Sequence, residues 1–441
     1  MKKFRDYRPN QTYLLPPSMR DWLPDDHPVD YISEMVDKMD LSAIYGEYRE
    51  ERGYPPYDPR MMVKVLLYAY SKGLRSSRKI ERALHEDVGF RVLSGNQQPD
   101  FWTIAAFRRR HHKALGDLFL QTVRIADRAG LVKLRHVAVD GTKLKANASK
   151  HSAMSYGRMK TEVERLRKEI EEYLRQCDEV DAAEDKKYGK GSGWRLPEHL
   201  STAKKRLEAI EKAKRELEEE EQRKRNDKDQ GSPPGGDSPA PVPDDKAQRN
   251  FTDPESRIML NSEKSFVQGY NAQAVVDADS KVIVAADLTN RCGDVQHLES
   301  LVAQVERNTG RRPKELLADA GYWSEANVRA LEGRDIEVFI PPEKVKHSEW
   351  RIQRSPRGRI PSGLSVKDLM RRKLRTKRGR KRYKLRQTSV EPAFGNIKEP
   401  LGMRQVLLRG LAKARSEWLM VCAVFNILKM FRAGVALVTV S

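Results

Sequence analysis

Cysteine is scarce: three in 441 residues, Cys177, Cys292 and Cys422, none at metal-ligand spacing from another. So few and so scattered, they predict neither disulfides nor a structural zinc, and they fit a reducing compartment. Long apolar runs are missing too, and without a run of about eighteen such residues no membrane-spanning helix is expected. The opening stretch, MKKFRDYRPNQTYLLPPSMRDW, has charges and prolines where a signal peptide would need an apolar core, so the expected location is the cytosol. Hydrophobic residues make up only 38% of the chain and charged ones 33%, which predicts solvated helix or disorder in part of it. Acidic residues are the remaining shortage: 63 Asp and Glu against 84 Lys and Arg leave a formal net charge of +21. A globular protein with that excess repels itself unless a polyanion shares its surface. Nucleic acid is the first partner to consider, and an anionic membrane the second.

By the prior of one domain per ~150 residues, two or three domains are expected. Residues 1–130 read as helical throughout. Asp58-Pro59 places a capping side chain before a proline in the first turn, and Met62, Val65, Leu66 and Ala69 follow at helical spacing. Ser76 or Ser77 can cap the next helix, and Thr103 opens a long one running past Val123. The Gly-containing link YSKGLRSSRKIE presents Arg75, Arg78, Lys79 and Arg82. Two readings stay open there: a helix-turn-helix that binds DNA, or a helical bundle with a basic solvated face.

His136 to Asp140 reads as a short β-branched strand ended by a turn at Gly141, which puts Asp140 at a strand tip, where α/β proteins keep ligands and metals. Asp is also common in turns, so Asp140 alone decides nothing. Residues 151–226 form a charged insertion whose two arms carry heptad-like stripes (Val163, Leu166, Ile170; Ala203, Leu207, Ile210), an expected antiparallel helical hairpin. Residues 227–249, rich in Gly, Pro, Ser and Asp, read as a flexible linker. From residue 250 a sheet resumes: SFVQGYNAQAVVDADS and KVIVAADLTN form a hairpin, a helix follows, then ELLADAGYWS and IEVFIPP supply two more strands.

Asp319 repeats the context of Asp140: a short apolar strand, the acid, then a glycine at Gly321. If the two strands are parallel neighbours, both carboxylates reach one metal ion. Glu391 is the third candidate, on a helical segment with Arg386 before it and Lys398 two turns beyond. Three carboxylates from separate elements suit octahedral Mg²⁺, and a pair of such ions serves phosphodiester chemistry. Directly before Glu391, residues 371–386 (RRKLRTKRGRKRYKLR) contain no acid at all and include Arg380, Lys381, Arg382 and Tyr383. Such a run is either a backbone-tracking DNA contact or a disordered tail or localisation signal. Asp277, beside a hairpin turn, and Asp294, placed to cap a helix, read as structural rivals, and Asp287 is a third rival carboxylate.

Taken in order, HVAVDGT, DPESRIM with GYNAQAVVD, LADAGYWS and YKLRQTSVEPAFGNIK resemble the motifs of the Asp-Asp-Glu transposases of bacterial insertion sequences. YDPRMMVKVLLYAYSKGLRSSRKIE and PDFWTIAAFRRRH resemble the helical region preceding the catalytic core in one branch of that family. The resemblance implies an α/β, ribonuclease H-like mixed-sheet core at 131–150 and 250–441, behind a helical DNA-binding domain. It implies two Mg²⁺ or Mn²⁺ ions on the triad Asp140, Asp319 and Glu391, and cutting and joining at the transposon's terminal inverted repeats and target DNA. A Tyr-Arg-Glu-Lys signature falls on Tyr383, Arg386, Glu391 and Lys398. Trp323 sits where related enzymes place an aromatic that takes an extruded base, and core packing is its other reading. Cutting both ends together implies at least a dimer on DNA, in the bacterial cytoplasm at the nucleoid. A ribonuclease H-like nuclease that cuts without joining, and a domesticated DNA-binding protein, are the alternatives.

Overall fold

The computed structural model describes residues 18–48, 55–149, 152–188, 198–229, 242–261, 264–344 and 355–437. Helices come first: α1 (Pro28–Asp37), α2 (Ser42–Tyr45), α3 (Pro59–Ser71), α4 (Ser77–Glu86), α5 (Val88–Ser94), α6 (Phe101–Arg110) and α7 (His112–Arg128). Asp58 caps α3 by accepting from the backbone N–H groups of Arg60 at 2.7 Å and Met61 at 3.3 Å, with Pro59 in the first turn. Almost all of α3 from Met61 to Tyr70 is buried. It is a central helix, with α4 presenting the basic surface beside it. The long helix expected from Thr103 is two helices. Asp100 caps the first, accepting from the Thr103 N–H at 2.6 Å, and the chain breaks at His111.

The remaining elements are β1 (His136–Lys145), β2 (Ala153–Ser155), α8 (Tyr156–Tyr188), α9 (Glu198–Asp229), β3 (Gln248–Asn250), β4 (Arg257–Leu260), β5 (Phe266–Asp277) and β6 (Ile283–Thr289). They are followed by α10 (Leu298–Thr309), β7 (Glu315–Leu317), α11 (Glu325–Glu332), β8 (Glu337–Phe339), α12 (Val366–Arg375), α13 (Lys377–Lys398) and α14 (Leu411–Arg432). One edge of β5 pairs antiparallel with β1, and its other edge takes β4 and then β6 end to end. On the far side of β1, β7 and then β8 run parallel to it. This mixed sheet, with α10, α13 and α14 packed on it, is a ribonuclease H-like core.

The turn expected at Gly141 does not exist. β1 runs on to Lys145, paired with β5 all the way, so Asp140 lies in mid-strand opposite Ala274. Gly141 serves a different need: a Cβ there would sit 2.5 Å from Nε2 of Gln273, whose carboxamide covers the position.

The insertion is a helical hairpin on a two-stranded base. β2 and β3 pair antiparallel, and α8 and α9 zip together through Tyr156, Met159, Val163 and Leu166 against Ala203, Ile210, Ala213 and Leu217. The antiparallel sense follows from cross-links at both ends of the seam: Tyr156 donates to Glu218, and Glu162 pairs with Arg206. The expected linker is shorter than its composition suggested, because α9 continues to Asp229 and β3 occupies residues 248–250; residues 230–241 lie outside the described residues. One hydrophobic core runs from the N-terminal helices through the sheet, and α14, with Trp418 and Val421 fully buried, lies against α3, α7 and β6 within it.

Candidate active site

The pairing of β1 with β7 positions two of the candidate carboxylates. Its register runs from His136↔Glu315 to Ala138↔Leu317, and two residues further on each chain stand Asp140 and Asp319. The two parallel strands therefore deliver both acids to the same end of the sheet. β7 stops there while β1 continues, bridged on that edge again only at Lys145 by residues 404–406, so the Asp140 side chain keeps 20% exposure without standing at a strand end. Asp319 caps a short 3₁₀ turn, Ala320–Tyr322, accepting from the Gly321 N–H at 2.9 Å. A Cβ on Gly321 would lie 3.0 Å from Oδ1 of Asp319 and 3.3 Å from Oδ2 of Asp294, so the glycine leaves room for two carboxylates.

Glu391 arrives on α13, and an arginine ladder fixes that helix on the sheet. Arg378 pairs with Glu337 and Glu315, Arg382 with Glu315 at 3.1 Å and with the His136 ring at 3.1 Å, and Arg386 with Asp140 at 2.9 Å. The spacing of four keeps the three on one face of the helix. Its contacts move from the first residues of β1, β7 and β8 to Asp140, so the helix runs the same way as the parallel strands and carries Glu391 to their far end. The other guanidinium nitrogen of Arg386 lies 3.5 Å from Glu391, whose side chain is 53% exposed.

Several residues expected to contact DNA are turned inward. Arg75 is buried and donates to the carbonyl oxygens of Gly402 and Gln405 and to Glu417, at 2.8 Å from the carboxylate. Its charge ties the α3–α4 link to α14 and is not offered to a phosphate. Arg382 and Arg386 are likewise engaged with the sheet, and Arg380 is half-buried; a run that looks uniformly basic in sequence contributes every fourth residue to internal pairing. Lys381 remains exposed, as do Arg78, Lys79 and Arg82 on α4, with Arg78 stacked over Phe101 and Arg82 held by Glu86. Tyr383 is half-buried close to both aspartates, and Lys398 ends α13, partly buried. Trp323 is half-buried against the core, while its neighbour Tyr322 is fully buried and donates to Gln273.

Asp294, read in the sequence as a helix cap, has other partners. It makes no helix-capping hydrogen bond; its Oδ1 accepts from Asn271 at 2.7 Å and Gln273 at 2.8 Å and pairs with Lys143 at 3.4 Å. Its partners come from β1 and β5, and only the paired register of those strands, Lys143↔Asn271 and Gly141↔Gln273, brings them together.

Burial pushes the Asp140 carboxyl up to about 6 against the pull of Arg386, and the charge of Asp319 adds to the rise. The Arg386 guanidinium is held charged although its burial opposes this, chiefly by Asp140. Among the described residues no group of three acidic, histidine or cysteine side chains is close enough to hold a metal. The donors themselves are of the right kind. Asp140 and Asp319 offer hard carboxylate oxygens at the same end of the sheet, Glu391 shares Arg386 with Asp140, and a buried carboxylate that keeps a proton to pH ~6 is poorly compensated by one arginine.

Two families match the chain. A transposase domain covers residues 17–110 and a transposase DDE domain covers residues 239–427, the second spanning β3 through most of α14. Neither a curated protein nor a solved structure matches it. Among the described residues no helix is long and apolar enough to cross a membrane. The chain thus carries a transposase domain in its helical region and, C-terminal to it, a transposase DDE domain folded as part of a ribonuclease H-like sheet.

Proposed function

We propose that the protein cuts DNA at the ends of its own insertion element and joins the freed 3′ ends to target DNA, with Asp140, Asp319 and Glu391 as the catalytic carboxylates. The observation that carries this reading is the continuation of the β1–β7 register to Asp140 and Asp319, with Arg386 linking Asp140 to Glu391 on the helix above. The three carboxylates would hold two Mg²⁺ or Mn²⁺ ions, which supply Lewis-acid activation of a water or 3′-hydroxyl and charge neutralisation at the leaving oxygen. Arg386 is the cation that reaches two of the three carboxylates. Once Asp140 and Glu391 have another counter-charge, its guanidinium is free to turn to the scissile phosphate, as the Tyr-Arg-Glu-Lys resemblance implies.

The exposed Arg78, Lys79, Arg82 and Lys381 support phosphate contact, with Arg380, Tyr383 and Lys398 as further candidates along α13. Helices before residue 131 would grip the terminal inverted repeats, and cutting both ends in concert calls for at least a dimer on DNA, working at the nucleoid. The test is strand cleavage and joining on labelled DNA bearing the element's own ends in Mg²⁺ or Mn²⁺. Wild type should cut and join, while Asp140→Asn, Asp319→Asn and Glu391→Gln bind the DNA and do neither. Cutting in the absence of divalent metal, or by any of these variants at the wild-type rate, would refute the assignment.

A further inference from the structure

The inserted hairpin meets the core at a groove of about 670 Å³, away from the carboxylates, lined by Arg223 from α9, Lys246 before β3, Arg257 from β4 and Arg291 after β6. Glu220 is the one acid in that lining, and Arg257 pairs with it at 2.8 Å. The other cations face solvent. Arg223 is 81% exposed with the Glu219 carboxylate 3.8 Å away, Lys246 is exposed, and Arg291 is exposed with a neutral partner, Gln296. Three cations from three separate elements on one concave wall need an anion with several fixed charges, not a single small one.

The groove is wired to the candidate active site. The Arg291 carbonyl accepts from Asn271 at 3.2 Å, and the carbonyl of Cys292, also in the groove wall, accepts from Lys143 at 3.0 Å. Asn271 and Lys143 both hold Asp294, whose other oxygen faces the Gly321 turn beside Asp319. The groove wall at Arg291 and Cys292 is thus tied through Asn271 and Lys143 to Asp294, which lies against the turn that carries Asp319.

We infer that this groove holds the sugar-phosphate backbone of the duplex DNA being cut, on the stretch leading away from Asp140 and Asp319, which makes the insertion a DNA clamp. The inference rests on the transposase reading above. A duplex with the element's end should bind the triple variant Arg223→Ala, Lys246→Ala, Arg291→Ala about tenfold more weakly than wild type. The slope of log affinity against log salt should fall by about 2–3, at ~0.9 for each phosphate that the variant no longer neutralises. Arg223→Lys with Arg291→Lys, Lys246 intact, should keep both quantities at their wild-type values, which separates a missing charge from a folding defect. Cys292 supplies a positional check: a duplex with a disulfide-tethered backbone phosphate should capture wild type and not Cys292→Ser. Unchanged affinity and slope in the triple variant, with wild type binding normally, would overturn the clamp and leave the transposase reading intact. A wild type that binds no end DNA would overturn both.

Discussion

Arg386 stands between Asp140 and Glu391, donating to the first at 2.9 Å and lying 3.5 Å from the second. A guanidinium there does for the carboxylates what a metal ion would do, and it also repels that ion. Arg386→Met should therefore bind Mn²⁺ more tightly than wild type in the absence of DNA, by several-fold, while strand cleavage falls by at least about tenfold for want of a cation at the phosphate. Calorimetric titration with Mn²⁺ reads the first effect independently of activity. Weaker Mn²⁺ binding by the variant would show that Arg386 builds the site instead of holding its place.

The raised Asp140 carboxyl has a sign that stability can report. Its folded value of about 6 lies above the ordinary 3.8, so the native state binds this proton more tightly than the unfolded chain does. The group therefore stabilises the fold as pH falls from about 6 toward 4 and weighs against it at higher pH, by on the order of 2–3 kcal/mol. With chelator present, Asp140→Asn should be the more stable protein at pH 8, with the gap closing by pH 4. Urea unfolding at the two pH values measures this, and a gap that widens on acidification contradicts it.

Arg75, expected on a DNA-reading surface, is instead a buried partner of Glu417, which also accepts from the backbone of Leu407 and Leu408. Arg75→Ala leaves that carboxylate uncompensated and should cost about 3–5 kcal/mol of stability. End-DNA affinity of the folded fraction should stay within about twofold. Arg78→Ala with Lys79→Ala, on the exposed face of α4, should do the reverse: little change in unfolding and weaker, less salt-dependent binding.

Asp294 collects Asn271, Gln273 and Lys143 behind Asp319. Asp294→Ala strands two carboxamides and an ammonium, at a cost of about 1–3 kcal/mol, and removes the wall of the Gly321 turn. Cleavage should drop well below what the stability loss accounts for, with DNA affinity unchanged. Thermal unfolding alongside single-turnover cleavage separates the two, and proportionate losses would reduce Asp294 to a purely structural residue.

What could be read in the sequence was whatever neighbours along the chain decide. The cap at Asp58 and the β5–β6 hairpin both depend on residues within a few positions, and both are present. The parallel pairing of β1 and β7, entertained as a condition, is also there. Errors arose where a residue's partner is far away. Gly141 looked like a turn because Gln273, which fills its missing side chain, is on another strand. The basic run before Glu391 looked uniform because Glu315, Glu337 and His136, which select Arg378 and Arg382 from it, come from strand starts elsewhere in the chain. Asp294 looked like a cap because its position just before a helix was visible and its strand partners were not.

The central claim is that Asp140 and Asp319 share the ions that cut DNA, and the most direct measurement exchanges their oxygen donors for sulfur. Asp140→Cys and Asp319→Cys should each be inactive on end DNA in Mg²⁺, which binds thiolate poorly, and regain cleavage in Mn²⁺ or Cd²⁺. Cleavage that persists in Mg²⁺, or that the softer ions fail to restore to either variant while both still bind the DNA, would contradict the account.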